Sequence, residues 1–207
     1  SRLEITGASF PVVENVSGDM TTGAGHYAVS RSGTLVYLPG LGSLSDRTLA
    51  FIDLKGAVST LPVAEHAYVD PRLSPDGRRV AVGMQSGKDF DIWVYDLQRN
   101  SMTRLTFGGS NRSPVWSPDG RRIAYADNTA GAGGSAGKAK VVVIPSDGSG
   151  AKQEILMDYD RTYVNCWTRD GSSVVVTTPQ PGKGWDLWVV PISGEGKPWA
   201  FLSTKFD

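Results

Sequence analysis

A chain of 207 residues that carries 21 basic and 21 acidic side chains has no bulk field to hold nucleic acid or an anionic membrane surface. Hydrophobic residues make up 40% and tryptophan occurs six times, enough for a packed core, while 25 glycines and 12 prolines suit a fold with many turns. No apolar run approaches the roughly 18 residues needed to cross a membrane, and the single cysteine, Cys166, excludes an internal disulfide.

In chain order, Leu3-Glu4-Ile5-Thr6 and Phe10-Pro11-Val12-Val13 are the first strand-like runs. Ser30-Arg31-Ser32-Gly33 then opens a phrase that returns as Ser74-Pro75-Asp76-Gly77, Ser117-Pro118-Asp119-Gly120 and Thr168-Arg169-Asp170-Gly171. The anchoring glycines at 33, 77, 120 and 171 lie 43 to 51 residues apart. Self-similarity at this period marks a repeat array, and four-stranded propeller blades recur at roughly 40–50 residues. Ser-Pro-Asp-Gly suits a type I turn, because proline presets φ at the second position and glycine is favoured at the fourth.

Each turn is flanked by short runs of β-branched and aromatic residues, and none has a helical period. Pro114-Val115-Trp116 precedes one turn and Ile123-Ala124-Tyr125-Ala126 follows it. Third strands begin at Thr48, Asp91, Lys140 and Asp186, and Met102–Thr106 exemplifies a fourth. The reading is an all-β β-propeller of four-stranded antiparallel blades over 26–64, 66–107, 110–157 and 161–204, with a half blade at 3–16. About four and a half blades result. The Gly/Ala/Ser stretch 128–138 inserts a loop, flexible by composition, between second and third strands of the 110–157 blade.

Catalytic motifs are weak. Gly133-Gly134-Ser135-Ala136-Gly137 has the spacing of a nucleophile elbow, but an elbow joins a buried strand to a helix and this serine lies in a low-complexity loop. The same loop misses a phosphate-binding motif at Ala132 and Ala139. Cys166, beside Trp167 in an apolar strand, reads as a buried small hydrophobe. Asp89-Phe90-Asp91 and Asp158-Tyr159-Asp160 pair carboxylates without the calcium-loop signature, and read as solvated loop charge. Asp76, Asp119 and Asp170 recur with the turns and are assigned to them. Trp93, Trp116, Trp167 and Trp188 are assigned to the core between blades. No catalytic residue, metal or cofactor is expected, nor any hydrolytic or transferase activity.

The phrase Pro-x-Trp-Ser-Pro-Asp-Gly-x-x-Ile-Ala, then Asp-Ile-Trp-Val-x-Asp, then a Leu-Thr ending, resembles the TolB-like family of bacterial propeller repeats. The resemblance runs from about 26 to 204 and is strongest from Pro71 to Ala126. Ser32 and Arg169 depart from the phrase, and the signatures of eukaryotic WD repeats are absent. It implies a ring of six blades, which at about 43 residues each requires roughly 258 residues, about 50 more than are present. The expected chain is therefore a fragment of a larger propeller. Its end strands are apolar on both sides, so blades from the same protein or another chain should cover them.

In a propeller, the loops from fourth to first strands and from second to third strands gather at one mouth. These loops carry His26, Tyr27, His66, Tyr68, Asp70, Asn111, Arg112, Tyr159, Asp160, Arg161 and Tyr163, an aromatic and arginine mixture that suits binding. The function expected is a non-catalytic interaction or sensor module, binding a protein or small ligand at the mouth. The resemblance implies a periplasmic, or otherwise extracytoplasmic, scaffold with an envelope lipoprotein as partner. Two alternatives remain. One is the accessory, substrate-gating propeller of a prolyl-oligopeptidase-type serine hydrolase. The other is the extracytoplasmic propeller of a bacterial serine/threonine kinase, which Gly33–Pro39 and Arg104-Leu105-Thr106-Phe107 resemble.

Overall fold

The computed structural model describes residues 27–29, 35–37, 48–52, 58–129, 137–180, 184–192 and 196–203. The chain separates into two units, Ser1–Ser45 and Asp46–Asp207. The first contributes one antiparallel hairpin, β1 (Tyr27–Val29) with β2 (Leu35–Tyr37). The second opens with the hairpin of β3 (Ala50–Ile52) and β4 (Val58–Thr60). The blade expected over 26–64 is thus described as two hairpins, one in each unit. The half blade at 3–16 lies outside the described residues.

Three four-stranded antiparallel sheets follow, each a simple meander. The first comprises β5 (Tyr68–Leu73), β6 (Arg79–Ser86), β7 (Asp89–Asp96) and β8 (Ser101–Arg104). The second comprises β9 (Asn111–Trp116), β10 (Arg122–Asp127), β11 (Lys140–Pro145) and β12 (Gln153–Leu156). The third comprises β13 (Tyr163–Trp167), β14 (Ser173–Gln180), β15 (Gly184–Pro191) and β16 (Trp199–Leu202).

Each repeated phrase closes the turn between first and second strands. The Gly77, Gly120 and Gly171 amides donate to the carbonyls of Ser74, Ser117 and Thr168, all at 2.9 Å. These glycines hold φ near the left-handed value, +68°, +68° and +69°, which a side chain at that position would resist. Within each turn the aspartate accepts a hydrogen bond of 2.6 Å from the Ser or Thr hydroxyl. It also accepts the amide of the residue two places on. Arg169 replaces proline without opening the third turn.

These bonds favour the ionised carboxylates. The Ser74 and Ser117 hydroxyls hold Asp76 and Asp119 below the usual carboxylate range, and Thr168 holds Asp170 at about 2. Glu154, bridged by Lys140 and Lys152, falls to about 2 as well. A carboxyl whose folded pKa lies below its unfolded value of about 4 stabilises the fold above that pH, and the contribution disappears as the folded pKa is passed on acidification. Melting temperature should therefore be level above pH 5 and fall between about pH 4 and 2, with a shallower fall in Asp170→Asn. Thermal melts across that range are the check, and a flat profile would contradict the assignment.

The cores lie between successive sheets, not within one. Ala81, Ile92 and Val94 of the first four-stranded sheet pack with Trp116, Ile123, Tyr125, Val142 and Ile144 of the second. Val115, Ala124, Val141 and Val143 of the second pack with Val164, Trp167, Val174, Val176 and Val190 of the third. The β3–β4 hairpin closes on the first sheet through Leu49, Tyr68, Val82 and Met84. Central strands of the first two four-stranded sheets are thus buried on both faces, as the doubly apolar runs require, whereas β14 and β15 bury one face. Within the third sheet, Trp185 of β15 and Trp199, Phe201 and Leu202 of β16 are 46%, 50%, 65% and 51% exposed.

The first strands β5, β9 and β13 lie side by side. Each carries a register shift of the bulge type, between Val69 and Arg72, Arg112 and Val115, and Val164 and Cys166. The third bulge corrects the assignment of Cys166, which is exposed. The extra residue turns Cys166 off the face that buries Val164 and Trp167.

Candidate functional site

Loops from all three four-stranded sheets meet around a cavity of about 660 Å3. The β6–β7 hairpin supplies Lys88, Asp89 and Phe90. The linker before β9 supplies Gly109 and Ser110, and β9 itself supplies Arg112. Asn128 and Thr129 follow β10, while Arg161 and Tyr163 come from the start of the third sheet. The volume falls within the range of small-molecule pockets.

The rim is tied together by hydrogen bonds that cross from loop to loop. The Phe90 amide donates to the Gly109 carbonyl at 2.8 Å, and the Asn128 amide to the Ser110 carbonyl at 3.0 Å. Ser110 N–H donates to the Thr129 hydroxyl at 2.8 Å. Asn128 then clasps the next linker, accepting from Thr162 N–H at 2.9 Å and donating to its carbonyl at 3.0 Å. Gly109 has φ +102°, and a Cβ there would collide with the Thr129 hydroxyl. Asn128 and Thr129, assigned from composition to a flexible insertion, are thus fixed parts of the rim. Residues 130–136, including Ser135 of the elbow-like motif, lie outside the described residues.

Arg112 packs against an aromatic ring of the neighbouring blade. Its guanidinium lies 3.5 Å from the centre of the Phe90 ring, a cation–π geometry. Burial pushes its pKa below the usual arginine value, and the nearby charge of Arg161 pushes the same way. Tyr163 and Asp70 act in the opposite direction. The backbone beside Arg112 is strained: Ser113 has φ +54° and its counterpart Asp70, one repeat earlier, has φ +51°. The Asp70 carboxylate accepts the Ser113 amide at 3.2 Å and its hydroxyl at 3.3 Å, linking consecutive first strands.

Of the residues expected at the mouth, the cavity gathers Arg112, Arg161 and Tyr163, while Asp70 is bonded to Ser113, the residue after Arg112. Tyr68 and Asn111 are placed otherwise, because both belong to the interior. Tyr68 is 5% exposed in the core beneath the β3–β4 hairpin and donates to the Ala64 carbonyl at 2.9 Å. Desolvation there raises its pKa. Asn111 is 5% exposed and donates to the Gly108 carbonyl at 2.9 Å. His66 is half-buried against Tyr68, its Nδ1 accepting the Ala67 amide at 3.1 Å. Tyr159 packs edge-on against Trp188, and Asp160 is exposed. His26 lies outside the described residues, and Tyr27 belongs to the other unit.

The reading of Asp89-Phe90-Asp91 as solvated charge is corrected. Asp91 is 1% exposed, paired with Arg104 and accepting the Thr106 hydroxyl at 2.8 Å. It lies inside β7, with its carboxylate turned inward, and Phe90 is buried beside it. The Lys88–Phe90 contribution to the cavity escaped the sequence reading, although the rule that second-to-third-strand loops reach the mouth pointed to it. Asp158 is exposed and paired with Lys138. Among the described residues no three His, Cys, Asp or Glu side chains converge as metal ligands would.

No family model matches the chain. The chain is 30% identical over 118 residues to the uncharacterized peptidase YuxL of Bacillus subtilis, covering 54% of this chain and 17% of that protein. It is 42% identical over 64 residues to the Tol-Pal system protein TolB of Hydrogenovibrio crunogenus, covering 31% of this chain and 15% of TolB. Each match therefore takes in less than a fifth of the relative's length. The crystal structure of TolB from Acinetobacter baumannii superposes with a TM-score of 0.61 at 21% identity, over 79% of this chain and 40% of that one. Repeated turn phrase, radial sheets and these likenesses agree: the chain carries a TolB-like β-propeller.

Proposed function

We propose that the chain is a non-catalytic interaction module that binds a protein or small ligand at the mouth of the propeller, in an extracytoplasmic compartment. The observation that carries this reading is the tethered cavity, where aromatic and arginine side chains from three consecutive blades converge. Such side chains dominate binding surfaces, and a prepaid rim geometry lowers the entropic cost of association. The TolB likeness supports both the module and its compartment.

The YuxL likeness favours a second reading, in which the propeller serves as the gating domain of a peptidase. Capture from a bacterial extract compares the two-site variant Arg161→Glu/Tyr163→Ala with Arg121→Glu, a change in the exposed turn after β9. A ligand or partner retained by wild type and Arg121→Glu but lost from the mouth variant is the expected result. Equal retention by all three would remove the mouth as the site. Turnover of an ester or peptide substrate that vanishes in Ser135→Ala would remove the non-catalytic part.

A further inference from the structure

Charge at the cavity is one-sided. Lys88, Arg112 and Arg161 line it against a single carboxylate, Asp89. None of the three cations forms an ion pair or donates a hydrogen bond to an acceptor among the described residues, whereas Arg79, Arg104 and Arg122 all do. Asp70, whose charge acts on Arg112, is engaged by the Ser113 amide and hydroxyl. The Arg112 guanidinium carbon lies over the Phe90 ring at 3.5 Å, and its N–H groups have no acceptor among the described residues. A planar fork held in this way matches the two oxygens of a carboxylate.

We infer that the cavity takes a carboxylate, gripped by Arg112 and Arg161 with Lys88 at the rim, while Tyr163 receives the apolar part of the ligand. This rests on the mouth reading above and names its ligand chemistry. The Tyr163 ring favours an acid with an apolar neighbour over a bare, strongly hydrated anion, and Asp89 disfavours a dianion. A peptide's terminal carboxylate and a small organic acid share this chemistry.

Calorimetric titration of the full chain with hippurate and with hippuramide, its neutral isostere, tests the carboxylate itself. Acetyl-Ala-Phe-Gly as the free acid and as the amide separates a peptide end from a small acid. The acids should bind at least about tenfold more tightly than the amides, the expected worth of one charge-assisted hydrogen bond. Arg112→Met and Arg161→Gln should each weaken the acids by about tenfold, with Arg121→Gln unchanged. Arg161 is exposed, so Arg161→Gln should leave the melting temperature alone and remain informative if Arg112→Met folds poorly. A tighter peptide acid assigns the site to chain termini, and parity with hippurate assigns it to small acids.

Amides that match the acids, and lose affinity in Arg112→Met, would keep the mouth as a binding site and overturn the carboxylate. Inorganic phosphate that competes as well as hippurate would overturn it too. Acid binding untouched by both arginine variants would place the acid elsewhere and defeat this inference, as would no binding at about 10 mM, while the mouth reading stands or falls by the capture comparison.

Discussion

Replacing Arg104 by methionine is expected to destabilise the chain by about 3 kcal/mol, because it leaves the Asp91 carboxylate buried without its cation. Asp91 is 1% exposed and Arg104 34%, so the two members of the pair are unequal. The arginine can reach water and the aspartate cannot. Thr106 and Asn111 still donate to Asp91, at 2.8 Å and 3.4 Å, which keeps the cost at the low end of the range for broken buried pairs. Arg104 also lies over the Trp93 ring of β7 at 5.8 Å while donating Nε–H to the Thr106 carbonyl at 2.8 Å, so it fastens β8 to β7.

Asp91→Asn alone should cost less, since the charge left behind is the half-exposed one. The double variant should be more stable than Arg104→Met by about 1–2 kcal/mol, because it removes the stranded charge. Urea unfolding of the three variants reads these differences. Costs that simply add in the double variant would show that the pair is not coupled. A loss below about 0.5 kcal/mol in Arg104→Met would show that Asp91 is hydrated after all.

How far the chain could be read in advance depends on what repeats. The Ser-Pro-Asp-Gly turns were legible because φ at proline and glycine and the capping aspartate are local properties, and all three described turns close in the same way. Strand positions followed, since buried sheets demand apolar runs. Asp91 was misjudged because a charge flanking an apolar run looks the same whether it faces water or an arginine thirteen residues later. Tyr68 and Asn111 were placed at the mouth by loop position, yet each is the first residue of a strand and turns inward. Cys166 was misjudged because a bulge shifts the inward-outward alternation by one, which periodicity does not reveal. Phe90 was overlooked for a different reason: its role depends on Arg112, which reaches it from the neighbouring blade.

The least expected repeat is the second arginine of each Asp-Gly-Arg-Arg phrase, and it sets the second large effect. Arg79 crosses to the next blade, lying 4.6 Å from the centre of the Trp116 ring and donating to the Gly120 carbonyl at 2.9 Å and the Ser146 hydroxyl at 3.1 Å. Arg122 repeats the move over Trp167 at 4.7 Å, with one bond of 3.3 Å to the Gly171 carbonyl. Each tryptophan reaches back in turn. Trp116 Nε1–H donates to the Arg72 carbonyl at 2.9 Å and Trp167 Nε1–H to the Val115 carbonyl at 3.2 Å. Arginine reaching forward and indole reaching back therefore fasten each blade to its neighbour, and the third turn has Ser173 where the arginine would be.

Trp116→Ala and Trp167→Ala should each cost about 3–5 kcal/mol through lost burial and the cavity left behind. Phenylalanine at either position, which keeps most of the area and loses the N–H donor, should cost about 1 kcal/mol. The two alanine variants should differ in form. Blades in a repeat array are held by their own contacts and by neighbour interfaces, so weakening one interface can uncouple what lies beyond it. Trp116 is flanked by sheets on both sides, and its loss should lower one cooperative transition. Trp167 joins the third sheet to the rest through a shorter set of bonds, so Trp167→Ala should split unfolding into two steps, with 161–203 melting first. Hydrogen exchange resolves the order: early loss of protection confined to β13–β16 in Trp167→Ala is the expected result, and uniform loss across all three sheets would mean that the interface does not act as a separable joint.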